Sequence, residues 1–167
     1  MNKLSATLKG LITGIVMVLI SILIFVAEGN FENNLQYITY SVYVGGILWT
    51  LMAFHNNATE TRKFRSYFSE GFKCFVVVTL LMVLFTFIFM KLNPQLKEEM
   101  AKQSRLNLVN KGNYTPAEID QRVEMARKYF VTMLISMAIF GYIIIGSLLT
   151  AIIGAILIRN KKTVNQA

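Results

Sequence analysis

The chain reads as an all-α polytopic membrane protein: four transmembrane helices, with a helical hairpin between the third and the fourth. Three observations predict this. The composition is 54% hydrophobic and only 16% charged, where an average soluble domain carries about 25% charged residues. The apolar residues are clustered into four long runs, each close to the ~20 residues needed to cross ~30 Å of hydrocarbon. The one sizeable polar segment between runs carries helix caps and helical spacing rather than strand alternation. The 167 residues are expected to form one four-helix domain over 1–167.

The first span covers 10–27 and is uncharged. Lys3 and Lys9 precede it, which resembles the start of a signal peptide. The apolar run exceeds the usual ~7–15 residues, and Phe25-Val26-Ala27-Glu28 lacks an A-x-A exit, so an uncleaved span is expected. The second span, 35–54, is also free of Asp, Glu, Lys and Arg but richer in hydroxyls. Tyr37, Tyr40, Ser41 and Thr50, with Trp49, are candidates to line a small uncharged site between helices. The competing reading is an aromatic belt with interhelical hydrogen bonds. The third span covers 72–91, with an uncharged centre from Cys74 to Met90. The fourth, 130–158, is long enough to tilt or to leave the bilayer.

Between the third and fourth spans lies the predicted hairpin, 94–129. Asn93-Pro94 marks a helix start, and Lys111-Gly112-Asn113 breaks the pattern. Thr115-Pro116-Ala117-Glu118 then forms a capping box: Thr115 covers free amides, and Glu118 reaches back to the cap. Ile119, Val123, Ala126 and Phe130 follow at spacings of 4, 3 and 4. Nothing interrupts them, so one helix is expected from 116 to 158. Glu98–Lys102, Glu118–Arg122 and Glu124–Lys128 are spaced for i,i+4 pairing. The hairpin reads either as a solvated spacer or as a docking surface.

In the loop between the second and third spans, Phe64, Tyr67, Phe68 and Phe72 share a helical face beside Arg62, Lys63 and Arg65. These three basic residues are candidate contacts for anionic lipid headgroups, either on a short interfacial helix or as an ordinary basic flank. The net charge of +8 is accounted for by such flanks rather than by nucleic acid. The expected partners are the bilayer, anionic headgroups, and a membrane-protein partner or further copies of the chain.

Helix packing in lipid relies on close backbone approach. Gly146, Thr150 and Gly154 repeat every four residues, with Ser147, Ala151 and Ala155 beside them. They form a candidate packing face. Gly10-x-x-x-Gly14 and Ser41-x-x-x-Gly45 are weaker examples. Basic residues divide nine to eight between the two sides of the membrane. The first span, however, has them on one side only and usually dominates, so both termini are expected in the cytoplasm.

No Asp, Glu, Lys, Arg or His lies within the four apolar centres, where such groups mark function. No nucleotide-binding, nucleophile-elbow or zinc-protease motif occurs. One cysteine, Cys74, and one histidine, His55, leave no multi-cysteine metal site. No enzyme activity and no cofactor is expected.

Four stretches resemble a family of small bacterial membrane proteins known as domain of unknown function 4199, found mainly in Bacteroidetes. They are Leu8-Lys9-Gly10-Leu11-Ile12-Thr13-Gly14, Gly71-Phe72-Lys73-Cys74-Phe75, Thr115-Pro116-Ala117-Glu118-Ile119-Asp120 and Phe140-Gly141-Tyr142-Ile143-Ile144-Ile145-Gly146. The resemblance implies a bacterial inner-membrane protein with this span pattern, and no assigned activity.

Overall fold

A computed structural model describes residues 4–28, 36–57 and 63–164. They form five helices: α1 Ala6–Glu28, α2 Gln36–Asn56, α3 Phe64–Leu92, α4 Gln95–Lys111 and α5 Pro116–Val164. All but α4 are long and apolar enough to cross a membrane. The all-helical, four-span architecture read from the sequence is the one observed.

The helices contribute to two compact units, one of 1–82 with 139–167 and one of 83–138. In the first, α1, α2, the start of α3 and the end of α5 pack around Met17, Tyr43, Ile47, Leu51, Tyr67, Phe75 and Val78, all fully buried. The polarity of this unit is inverted relative to a water-soluble bundle. Thr13, Ser21, Thr39, Thr50, Thr79 and Thr150 are buried, while Leu23, Val26, Leu80, Phe140 and Leu148 are exposed. A water-soluble protein rarely exposes so much contiguous apolar surface. For a helix bundle whose solvent is lipid, it is the expected arrangement. Three of the buried hydroxyls bond to the carbonyl four residues back: Thr13 to Lys9 at 2.8 Å, Thr50 to Gly46 at 2.9 Å and Thr79 to Phe75 at 2.8 Å. Such back-bonding satisfies a hydroxyl without water.

The second unit has a small core of Ala101, Ile119 and Phe130. Helix α4 ends at Gly112, whose φ of +66° is the left-handed conformation that glycine adopts without strain. Helix α5 starts with the capping box. The Thr115 amide and hydroxyl donate to the Glu118 carboxylate at 2.8 and 2.9 Å, and the Glu118 amide donates to the Thr115 hydroxyl at 3.4 Å. These bonds hold the Glu118 carboxyl below its usual pKa.

Arg105 bonds to Asp120 at 2.6 Å, and Arg127 bonds to Glu98. These pairs join α4 to α5. The i,i+4 expectation for Glu98 is therefore corrected: it pairs with Arg127, not with Lys102. A second helix close by offers a guanidinium whose Nε and Nη2 both donate to one Glu98 oxygen, which a flexible lysine one turn away does not match. Arg122 lies over the Tyr114 ring at 4.4 Å.

The segment before the third span also differs from one of its two readings. Phe64–Glu70 is not a separate interfacial helix but the first turns of α3. Tyr67 and Gly71 continue inward along the row of Cys74 and Val78, so these turns are held by bundle packing.

Candidate functional site

The interior of the first unit contains a polar seam shared by all four of its helices. Its geometry begins with glycine. A Cβ at Gly10 would stand 2.5 Å from the Cys74 carbonyl oxygen, so α1 and α3 are in backbone contact. One at Gly46 would stand 2.9 Å from Thr13 Cβ, and one at Gly71 would stand 2.6 Å from Thr150 Oγ1. Three close approaches gather Thr13, Thr50, Cys74 and Thr150 around the bundle axis. The Thr50 hydroxyl lies 3.3 Å from Cys74 Sγ as well as bonding to Gly46. The Cys74 thiol in turn faces the Gly46 carbonyl at 3.8 Å. Among the described residues, the Thr150 hydroxyl is a fully buried side-chain oxygen without a partner.

Lys9 belongs to this seam. It is only 7% exposed, and its ammonium lies 5.7 Å from the Trp49 ring centre. Helix α1 begins at Ala6, capped by Ser5 through a 3.2 Å bond to the Leu8 amide, so Lys9 lies inside the helix. Lys9 precedes the run 10–27 read as the first span, which is free of Asp, Glu, Lys, Arg and His, but the helix that carries this run starts earlier and takes Lys9 in. The Gly10–Cys74 contact draws α1 close to its neighbours, and that contact covers Lys9. A cation–π contact to tryptophan offsets part of the cost of burying the charge.

The residues predicted from sequence divide clearly. Gly146, Thr150 and Gly154 face inward: a Cβ at Gly146 would meet the Phe75 ring at 2.7 Å, and one at Gly154 would meet Tyr67 Cβ at 3.2 Å. Ser147 and Ala151, beside them, are half-buried. Of the residues expected to line a polar site, only Thr50 is interior. Tyr37 is 70% exposed, and Tyr40 and Ser41 are also on the outside. The Ser41 hydroxyl bonds back to the Tyr37 carbonyl at 2.8 Å. Tyr43, which sequence reading did not single out, is the buried one. Its hydroxyl donates to the Tyr142 carbonyl at 2.7 Å, with the two rings 5.2 Å apart, edge to face. Lys63 and Arg65 are exposed, and Arg62 lies outside the described residues. His55 shares a 2.8 Å hydrogen bond with Tyr67, whose ring also meets Phe54 edge to face at 5.2 Å.

A cleft of about 500 Å³ opens at the same unit, lined by Phe54, Arg65, Ser66, Ser69 and Glu70. None of the five except Arg65 carried a sequence signal for a site. The cleft arises where a serine pair one turn apart on α3 meets the end of α2.

Residues 9–159 match the sequence model of a family described as protein of unknown function DUF4199. The chain belongs to this family. The match takes in the Gly10–Cys74 contact, the polar seam, the cleft and the capping box. DUF4199 membership thus covers both units, including Lys9, where the match begins. Neither the curated proteins nor the solved structures give a match.

Proposed function

We propose that this protein is a non-enzymatic accessory or scaffold subunit of a bacterial inner membrane, acting through protein–protein contacts, with both termini in the cytoplasm. The observation that carries this reading is the filled interior of the first unit. Tyr43, Ile47, Leu51, Tyr67, Phe75 and Val78 leave its axis packed, so action falls to the outer surfaces. The second unit supplies such a surface. Leu106, Val109 and Met125 are exposed there among charged neighbours. Helix α5 has 49 residues, more than twice the ~20 a single crossing needs, so a large part of it is available outside the hydrocarbon.

The test is affinity purification of a tagged, full-length copy from its own membranes in mild detergent, with identification of co-purifying proteins. A stoichiometric partner that is lost on deletion of residues 95–113 supports the accessory reading. Recovery of the chain without a partner removes it.

The outward polar face of α2 favours one alternative. Tyr37, Tyr40 and Ser41 would line a passage for an uncharged solute only if several copies assembled around α2. Homo-oligomers that pass solute in liposomes, and stop doing so when Tyr40 and Ser41 become Leu, would establish it.

A further inference from the structure

We propose that the cleft between the end of α2 and the start of α3 binds the phosphate of an anionic phospholipid headgroup. The proposal stands apart from the accessory reading, since it needs no protein partner.

The cleft follows from unequal helix lengths. Gly10 of α1 sits against Cys74 of α3, yet α1 begins only four residues earlier, at Ala6, whereas α3 begins ten residues earlier, at Phe64. The first turns of α3 therefore run past the start of α1, and their exposed side is lined by Arg65, Ser66, Ser69 and Glu70. Phe54 of α2 forms an apolar wall.

The lining has the chemistry of an anion site. Glu70 is neutralised by Lys73 at 2.7 Å, which leaves the Arg65 guanidinium, among the described residues, as the uncompensated charge on the cleft. Arg65 makes no ion pair among the described residues, and the hydroxyls of Ser66 and Ser69 have no partner there either. Three unengaged donors thus share one concavity. A guanidinium with two hydroxyls suits phosphate oxygens, which accept charge-assisted hydrogen bonds from planar forks. Lys9, buried without a carboxylate partner among the described residues, is another positive charge of the same unit.

The surroundings select a lipid over a soluble phosphate. Phe64 and Phe72, half exposed on α3, continue an apolar surface beside the cleft, with Phe68 between them at ring spacings of 6.1 and 6.4 Å. An acyl chain lies along such a row, and a soluble ion gains nothing from it.

The test uses the full-length chain in mild detergent, titrated with phosphatidylglycerol or phosphatidylcholine and read by native mass spectrometry. Bound phosphatidylglycerol should exceed phosphatidylcholine about tenfold, the span of one well-made charge-assisted contact. Arg65→Gln with Ser69→Ala should erase that preference. Lys102→Gln, a charge loss of the same size in the second unit, should leave it intact. Arg65 and Ser69 are exposed, so the double variant should melt at the parent's temperature. Equal retention of the two lipids, or a preference that survives Arg65→Gln with Ser69→Ala, overturns the proposal. So does displacement of phosphatidylglycerol by millimolar inorganic phosphate, which would make the cleft a site for a soluble anion.

Discussion

The two units of this chain share α3 and α5 but are held together by opposite means. In the first, backbone meets backbone at Gly10, threonine side chains press on the backbone at Gly46 and Gly71, and hydroxyls are buried with bonds to their own helix. In the second, the helices stand behind exposed ion pairs, Arg105–Asp120 and Glu98–Arg127, and a solvent-facing cap at Thr115. Solvent explains the difference. Lipid gives no hydrophobic drive between apolar helices, so close van der Waals contact and internal hydrogen bonds must hold them. Water solvates charge cheaply, so exposed pairs and caps are permissible there but weak. Damage to the first unit should therefore be steric and large, and damage to the second electrostatic and small.

The largest expected effect is at Gly10. An alanine Cβ would press on the Cys74 carbonyl, a backbone atom that cannot rotate away. Gly10→Ala should destabilise the chain by ~1–3 kcal/mol, the cost of overpacking. Gly45 is the internal control, since a Cβ there meets nothing within 4 Å. Gly45→Ala should be neutral or slightly stabilising, as alanine is the better helix former. Thermal melts of both variants in the same detergent check this. Equal losses would mean that α1 and α3 are not in backbone contact.

Thr50→Val comes next. It removes the bond to Gly46 and the contact to Cys74 while keeping shape. A cost of about 1 kcal/mol is expected, within the range for interhelical hydrogen bonds in membranes. Thr79→Val removes only a bond to the same helix, at Phe75, and should cost less. If Thr79→Val proves the more damaging, the seam at Cys74 is not the stronger element.

What could be read from the sequence follows the same division. The capping box, the Gly112 stop and the unbroken run into α5 were legible because each is decided within four residues of chain. The spans were legible because hydropathy sums over ~20 residues. Lys9 was not. Its burial depends on how closely α1 approaches α3, and no local pattern states that distance. The extent of α3 was missed for a different reason. Phe64, Tyr67, Phe68 and Phe72 read as one interfacial face, but Tyr67 belongs with Gly71 and Cys74 to the row that is buried. The aromatic row was the more conspicuous, and the buried one set the structure. The cleft was invisible because it is defined by where α1 begins relative to α3. Glu98 shows the limit of helical arithmetic: the i,i+4 rule names Lys102, but a neighbouring helix offers Arg127.

In the second unit, the Arg105–Asp120 pair is more than half exposed on both sides. A double-mutant cycle with Arg105→Ala and Asp120→Ala should give a coupling of about 0.5 kcal/mol. It should shrink as salt rises, because screening acts over ~8 Å at physiological ionic strength. Thr50→Val, measured alongside, should be unmoved by salt. A salt-insensitive pair would place the second unit in the same regime as the first.

The smallest effect is expected at Glu118, and its sign can be worked out. The Thr115 amide and hydroxyl hold its carboxyl below the ordinary value, so the folded pKa is lower than the unfolded one of about 4.3. The contribution to the start of α5 is then complete above the unfolded value and is lost as pH falls through the folded one. A carbon-13 titration of the Glu118 carboxyl in the full-length protein should show a midpoint below the ordinary glutamate value. Thr115→Ala should raise the midpoint toward the ordinary value by removing the hydroxyl while leaving the amide. Arg122 also lowers it, but to a lesser degree, so Arg122→Gln should raise the midpoint less than Thr115→Ala. If Arg122→Gln has the larger effect, the carboxylate is held by charge rather than by the cap. The start of α5 would then respond to salt as the Arg105–Asp120 pair does.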